Sequence, residues 1–408
     1  MRHISNTYRE TLLIILCSGL IVTIYFTDRG TGTIGMICIS LLLVQYYLSR
    51  SQQPRKLPRE LIIWMMLFLA SYVVGALLSK DSLREIVELR KFVFILLGGL
   101  LFVSPVTYRN RMMIITLLFV AASVAGFIGI LQYYGIISST DERSYGFSIN
   151  PTFYSALLSF VCGTAIVALF FTRSDLSRSI VHRVFLMGTI VLTFGGILFS
   201  GTRGVWIALV ASTAITLFII DRRKALKYVF FMTVVVLIAV LSSFTLRERV
   251  ISIATSFFWS DVRINTTSTR LELWKGALII FKEHPFLGVG SGDFEPEITK
   301  LISEGRLAEG IPVTIHAHNI YLQALASRGI VGFVVVAGLF TALFRWSFKE
   351  IREIGGIGAY IILLSTLLTI IGGLTDNNID YHKYLAAFSL TVGLIGPIST
   401  HHNEGSMS

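Results

Sequence analysis

Residues 112–137 read MMIITLLFVAASVAGFIGILQYYGII, without one acidic or basic side chain. A helix needs about 20 mostly apolar residues to cross the roughly 30 Å hydrocarbon core of a bilayer. A helix at the surface of a soluble protein is apolar along one stripe only. This stretch is apolar all round and therefore predicts a membrane span. Outward from it, the same reading applies to residues 11–27, 33–48, 61–78, 92–103, 152–171, 184–199, 204–220, 228–244, 329–344, 357–374 and 384–398. The segment 92–103 is short, and 184–199 nearly meets 204–220 at Ser200-Gly201-Thr202-Arg203-Gly204.

The composition of the 408 residues agrees: 54% are hydrophobic, only 14% are charged, and the mean hydropathy is +0.73. A soluble domain carries about 25% charged residues. These values exclude a soluble enzyme, a disordered chain and a small secreted disulfide scaffold. The fold class expected is an all-α polytopic membrane protein of twelve spans. Cys17, Cys38 and Cys162 each sit in an apolar run and are read as small buried hydrophobes, with no CxxC or Cys/His spacing. The first apolar run lacks a small-residue cleavage site and is expected to be a retained span.

The net charge of +11 does not by itself imply nucleic acid, because membrane proteins gather Lys and Arg in cytoplasmic loops. With the N-terminus inside, the inner loops hold 18 of the 35 basic residues and the short outer connections hold eight. That bias predicts cytoplasmic N- and C-termini. Four of the eight outer charges cluster at Lys80, Arg84, Arg90 and Lys91, and a fifth is Arg203. They run against the inside-positive pattern and are candidates for anion binding or lipid headgroup contact.

The domain boundaries expected are 1–244 for the first nine spans, 245–328 for one large outer loop, 329–400 for the last three spans, and 401–408 for a disordered cytoplasmic tail. Within the outer loop, Leu271, Trp274, Leu278 and Phe281 recur at helical spacing. His284-Pro285 ends that helix, since the residue before proline is driven out of the helical region. Gly288-Val289-Gly290-Ser291-Gly292 follows as a tight turn; it lacks the GxGxxG order and the preceding strand of a dinucleotide site. Residues 320–326 predict a further helix, entered from His316-Ala317-His318-Asn319.

Four constellations could carry chemistry. Arg203 stands between two spans with glycines on either side. Its planar fork suits phosphate oxygens, and the ordinary alternative is an arginine snorkelling to water. Arg270 opens the predicted outer helix, where a cation is mildly disfavoured by the dipole; it either meets an external anion or pairs with Asp261 or Glu272. His318 lies where a polar loop returns to the membrane, a place for an acid–base group or for a helix cap. His316 and His318 do not share a helix face, which argues against a two-histidine metal site on a helix. The run Thr375-Asp376-Asn377-Asn378-Ile379-Asp380-Tyr381-His382 is an outer loop that would bind sugar hydroxyls or, the favoured reading, form a solvated turn. The chain has no Asp-x-Asp, the carboxylate pair of many metal–diphosphate sites. Tyr133, Tyr134 and Tyr145 are either interface residues or stacking platforms for sugar rings.

Taken in order, these segments resemble the O-antigen ligase and O-antigen polymerase superfamily. The residues that carry the resemblance are Ser200-Gly-Thr-Arg203-Gly, Arg270-Leu-Glu-Leu-Trp274-Lys-Gly-Ala, His284-Pro285-Phe-Leu-Gly288-Val-Gly290-Ser-Gly-Asp-Phe294, His318-Asn319-Ile-Tyr321-Leu322 and Arg328-Gly329-Ile-Val-Gly332. The single large outer loop before the tenth span is most similar to the lipopolysaccharide O-antigen ligase branch.

The resemblance implies a GT-C-like membrane glycosyltransferase that inverts, uses no metal or other cofactor, and sits in the bacterial inner membrane with its site on the periplasmic side. The donor implied is an undecaprenyl-diphosphate-linked glycan and the acceptor a sugar hydroxyl of the lipid A–core oligosaccharide. Membrane lipids are further partners, with no nucleic acid and no nucleotide. Carried over by position, Arg203 and Arg270 would hold the diphosphate and His318 would activate the acceptor. His316, Asn319, Arg84, Arg90 and Lys91 are further candidates for binding diphosphate or glycan. Two rival readings remain on the sequence: a glycan polymerase of the same superfamily, and a flippase for lipid-linked sugars, against which the one-sided loop and outer-face charges argue.

Overall fold

The computed structural model describes residues 2–27, 30–48, 56–138, 143–148, 150–171, 176, 179–242, 247 and 266–398. Among them the regular secondary structure is entirely helical. Every apolar run expected to span a membrane falls on a helix. In chain order these are α1 (Arg2–Phe26), α2 (Thr31–Leu48), α3 (Arg59–Leu78), the short α4 (Ser82–Glu88), α5 (Phe94–Val103), α6 (Tyr108–Tyr133), α7 (Pro151–Phe170), α8 (Ile180–Phe199), α9 (Arg203–Ile220) and α10 (Arg222–Ser242). The outer segment contributes α11 (Thr266–Glu283) and α12 (Phe294–Ser303). The chain then closes with α13 (Ile320–Glu353), α14 (Ile357–Gly372) and α15 (His382–Ile395). Six of them, α3, α6, α7, α8, α9 and α13, are long and apolar enough to cross a membrane. The protein is a multi-pass helical membrane protein.

One continuous apolar core runs through the bundle, with α7 at its centre: Leu158, Phe160, Cys162, Ala165, Val167 and Ala168 are all fully enclosed. The three cysteines are buried free thiols, as their apolar surroundings predicted. Two of the cations that the charge bias assigned to inner loops also staple helix ends. Arg111 donates to the carbonyls of Gly393 (2.7 Å) and Leu394 (3.2 Å) at the end of α15, and Lys224 donates to the Phe170 carbonyl at the end of α7 (2.9 Å). These carbonyls lack partners within their own helix and mark the negative end of its dipole.

A second, smaller core lies outside the bundle. It joins Leu273, Ala277 and Ile280 of α11 to Phe294, Ile298 and Leu301 of α12, with Leu307, Ala317 and Ala326. The face of α11 that packs is therefore not the one its spacing suggested. Leu271 and Leu278 are exposed, and the Leu273–Ala277–Ile280 stripe is buried instead. A short helix with apolar residues on two sides fits either register, and docking of α12 decides between them. At the head of α12, the buried Asp293 carboxylate accepts the Lys80 amide N–H (2.9 Å), and Lys80 Nζ reaches Glu297 (3.1 Å).

The helix predicted over 320–326 and the span predicted over 329–344 are one element. α13 runs from Ile320 to Glu353 with a single break at Gly329 (φ 63°, ψ −159°) and crosses the boundary expected at 328/329. The segment His284–Gly290 wedges into that break. Val289 and Gly290 donate to the carbonyls of Ala326 (3.1 Å) and Ser327 (3.0 Å), and Ile330 donates back to the Pro285 carbonyl (2.8 Å). A Cβ on Gly329 would collide with the Phe286 carbonyl, so the two glycine-rich motifs are the two halves of one clasp.

Candidate active site

Asn319 fixes the start of α13. Its side-chain oxygen accepts from the amides of Tyr321 (2.9 Å) and Leu322 (3.0 Å), and its Nδ2 donates to the Leu374 carbonyl (3.0 Å). The amide of Ile320 donates to the Gly373 carbonyl (2.8 Å). These bonds lay the His316–Asn319 segment against the 373–381 connection between α14 and α15. Asn319, expected as a ligand residue, thus spends its polar atoms on the chain itself.

His318 lies at the junction with φ 49°, the only non-glycine residue in the left-handed region among the described residues. Such a backbone costs an L-residue about 1–2 kcal/mol. Here it turns the ring toward Asp376, with Nδ1 at 3.1 Å from Oδ1. The same Oδ1 accepts the Asn377 amide (2.8 Å). Asp376 is 5% exposed and His318 is half-buried. Burial pushes the Asp376 carboxyl upward, but the hydrogen bond and charge of His318, with His316 and Arg270 beyond it, outweigh this and hold it below its ordinary value. The expected solvated turn over 375–382 is therefore a buried connection: Asp376, Asn377 and Asn378 are all enclosed. The sequence marked the polar run, but nothing in it placed the run under His318.

Arg270, in the first turns of α11, is close enough to Asp376 for its charge to help lower that carboxyl. Glu272, weighed as its partner, instead accepts the Ala308 amide (3.1 Å) and faces Lys275 (3.8 Å); Asp261 lies outside the described residues. Arg203 opens α9, and its neighbour Gly204 abuts Thr375 so closely that a Cβ would collide with the threonine hydroxyl. The turn before it is held by a residue that the sequence did not single out. Arg143 donates to the Ser200 carbonyl (2.8 Å) and to Thr202 Oγ1 (3.1 Å). His316 sits edge-on to His318, ring centroids 4.5 Å apart. Burial lowers its basicity.

A polar chain ties the site to α3. Tyr72 donates to Asp380 Oδ1 (2.9 Å), and Asn377 Nδ2 donates to Asp380 Oδ2. The buried Arg328 guanidinium lies over the Tyr72 ring, 3.6 Å from its centroid, and donates to Ser71 Oγ (3.1 Å). Arg84, Arg90 and Lys91 stand apart from His318. Arg90, Lys91 and Glu88 line a separate cavity of about 340 Å³ together with His382, while Arg84 is exposed on α4. Tyr133 stacks on Phe199 (4.3 Å), Tyr134 is exposed, and Tyr145 packs at the edge of the core.

The arrangement defines a class: a helical membrane protein with a carboxylate-backed histidine at one end of its bundle. Residues 188–337 match the family model described as O-antigen ligase. The chain is 27% identical over 252 residues to a protein named O-antigen ligase from Pseudomonas aeruginosa, covering 61% of this chain and 54% of that one. It is 23% identical over 335 residues to an uncharacterized protein from Haemophilus influenzae, covering 79% of this chain and 81% of that one. The match thus spans about half the length of the Pseudomonas relative. The segment 188–337, which carries Arg203, Arg270 and His318, is thus similar to the O-antigen ligase family.

Proposed function

We propose that the protein is an inverting glycosyltransferase of lipopolysaccharide assembly. It transfers O-antigen glycan from undecaprenyl diphosphate to a sugar hydroxyl of lipid A–core, at the periplasmic face of the inner membrane. In this reading it has twelve spans in a GT-C-like bundle, with both termini cytoplasmic, and it needs neither metal nor nucleotide. The observation that carries the reading is the His318–Asp376 pair at 3.1 Å, with Arg270 in electrostatic reach of Asp376 and the α9 start that bears Arg203 packed by Gly204 against Thr375.

With Nδ1–H donated to Asp376, the His318 Nε2 lone pair faces outward and accepts the proton of the acceptor hydroxyl. The hydroxyl oxygen then bonds to the anomeric carbon from the side opposite the diphosphate, which inverts that carbon. The bond from the anomeric carbon to the phosphate oxygen breaks, and its electron pair stays on the lipid diphosphate. Arg203 and Arg270 stabilise the charge that develops there. Asp376, held ionised, balances the imidazolium. Asn319, Arg143 and the α13 clasp keep these groups in place. The basic cavity of Arg90 and Lys91, with Arg84 nearby, is a second place for anionic parts of the lipid substrates.

The test mixes purified protein in detergent with undecaprenyl-diphosphate glycan and rough lipopolysaccharide, without metal or nucleotide. Ligated lipopolysaccharide is expected from wild type and none from folded His318→Ala. Arg203→Lys should fall well below wild type, because lysine lacks the two-pronged contact. Longer glycan on the lipid carrier with no ligated product would convert the assignment to a polymerase. Normal ligation by both variants would overturn the mechanism.

A further inference from the structure

His316, His318 and Asp376 do more than adjoin. Each offers a ligand atom, and these atoms all lie within 4.8 Å of one another. The sequence argument against a two-histidine metal site assumed a helix. The histidines instead sit on a turn with a left-handed residue, which brings i and i+2 to one side, and Asp376 comes from 58 residues away. His316 Nδ1 is buried without a hydrogen-bond partner, an unusual state for an imidazole nitrogen unless something else satisfies it.

We propose that these three residues form an inhibitory site for zinc or a similar borderline divalent cation, and that its occupancy switches off the histidine base. The proposal rests on the role given to His318 above. Two histidine nitrogens and a carboxylate oxygen are a donor set zinc accepts, with a fourth position left for water. The His318 Nδ1 to Asp376 Oδ1 separation of 3.1 Å is close to the edge, about 3.3 Å, of a tetrahedron with bonds near 2.0–2.1 Å. A metal seated there replaces the Nδ1 proton as the link between His318 and Asp376. The neutral ring then carries its proton on Nε2. The nitrogen that has to accept the acceptor's proton becomes a donor, and the nucleophile is no longer activated. His316 adds the third ligand and loses its orphan nitrogen.

The test uses full-length, untagged protein in detergent, washed with chelator. Zinc binding is followed by calorimetry, and the site is probed with cobalt, whose visible absorption reports a four-coordinate nitrogen–oxygen environment. One tight site is expected in wild type. His316→Ala should weaken it by at least about tenfold, since even outer partners of metal ligands cost 10–100-fold. Asp376→Ala should do the same, whereas His182→Ala, at the exposed start of α8, should bind as wild type does. Glycan transfer by wild type should fall in proportion to occupancy and return on adding chelator. No binding, or binding unchanged in His316→Ala, overturns the metal site but leaves the transferase reading standing. Stoichiometric binding with undiminished or increased transfer overturns the inhibition. Binding as expected by a protein that transfers no glycan even when metal-free refutes the transferase role and, with it, the switch.

Discussion

Replacing Asp376 by asparagine would keep an oxygen in reach of His318 Nδ1 and of the Asn377 amide, but remove the negative charge. The backbone geometry of the loop therefore survives, and what is lost is the counter-charge to the imidazolium. Transfer should fall by about 10²–10⁴-fold in kcat with little change in KM, measured as initial rates of ligation. The same residue carries a pH signature. Its folded carboxyl is held below the ordinary value of 3.8, so it stabilises the folded protein above that value. The stabilisation disappears as pH falls through the lower, folded value. Below about pH 4 the melting temperature of wild type should drop toward that of Asp376→Asn, while above it the variant should melt earlier at every pH. Equal melting temperatures throughout would show that Asp376 adds nothing to stability.

At the scale of elements, the clasp between His284–Gly290 and the break in α13 is what sets the outer core on the bundle. Gly329 combines φ 63° with ψ −159°, a region close to glycine-only, and leaves no room for a Cβ against Phe286. Gly305 also has a positive φ of 70°, but open space around it. Gly329→Ala should cost several kcal/mol, roughly 3 or more, and abolish transfer. Gly305→Ala should cost only about 1 kcal/mol, and thermal melts of the two compare strain alone with strain plus collision.

Which of these elements could be read in advance follows from what each depends on. The apolar spans depend on local composition, and each expected run is a helix. The stop at His284-Pro285 and the turn at Gly288–Gly292 depend on local backbone preference, and both hold, with φ of 67° at Gly288 and 108° at Gly290. The buried face of α11 depends on α12, a separate element, and the spacing chose wrongly. Asp376 reads as part of a solvated turn for the same reason. Its burial goes with the His316–Asn319 segment lying against the 373–381 connection, and a polar run carries no record of what covers it. Arg203, Arg270 and His318 stand out in the sequence because their positions at span ends and helix starts are unusual for charged or titrating groups.

For the molecule as a whole, the orientation proposed can be checked without reference to activity. The three native thiols are buried, so a membrane-impermeant maleimide has low background on intact cells. A cysteine in place of Arg306, on the outer turn after α12, should label from the periplasmic side. One in place of Arg352, at the far end of α13, should label only after the inner membrane is opened. The reverse pattern would invert the topology. The 34 residues of α13 then join the two faces in one piece, with the cap of Asn319 at one end and the cytoplasmic cations at the other.

That connectivity also sets an order in time. A chain emerges from its N-terminus onward and its parts fold as they appear. Arg143 and the Arg203 turn are made early and α11 follows, but the small outer core lacks Ala317 and Ala326 until α13 has been synthesised. His318 has no carboxylate beside it until the ribosome has passed Asp376. A chain arrested between His318 and Asp376 holds its arginines and its histidine with nothing to orient the base. The proposed site is thus completed only near the end of synthesis, and a partly made chain lacks the paired base that the proposed reaction needs.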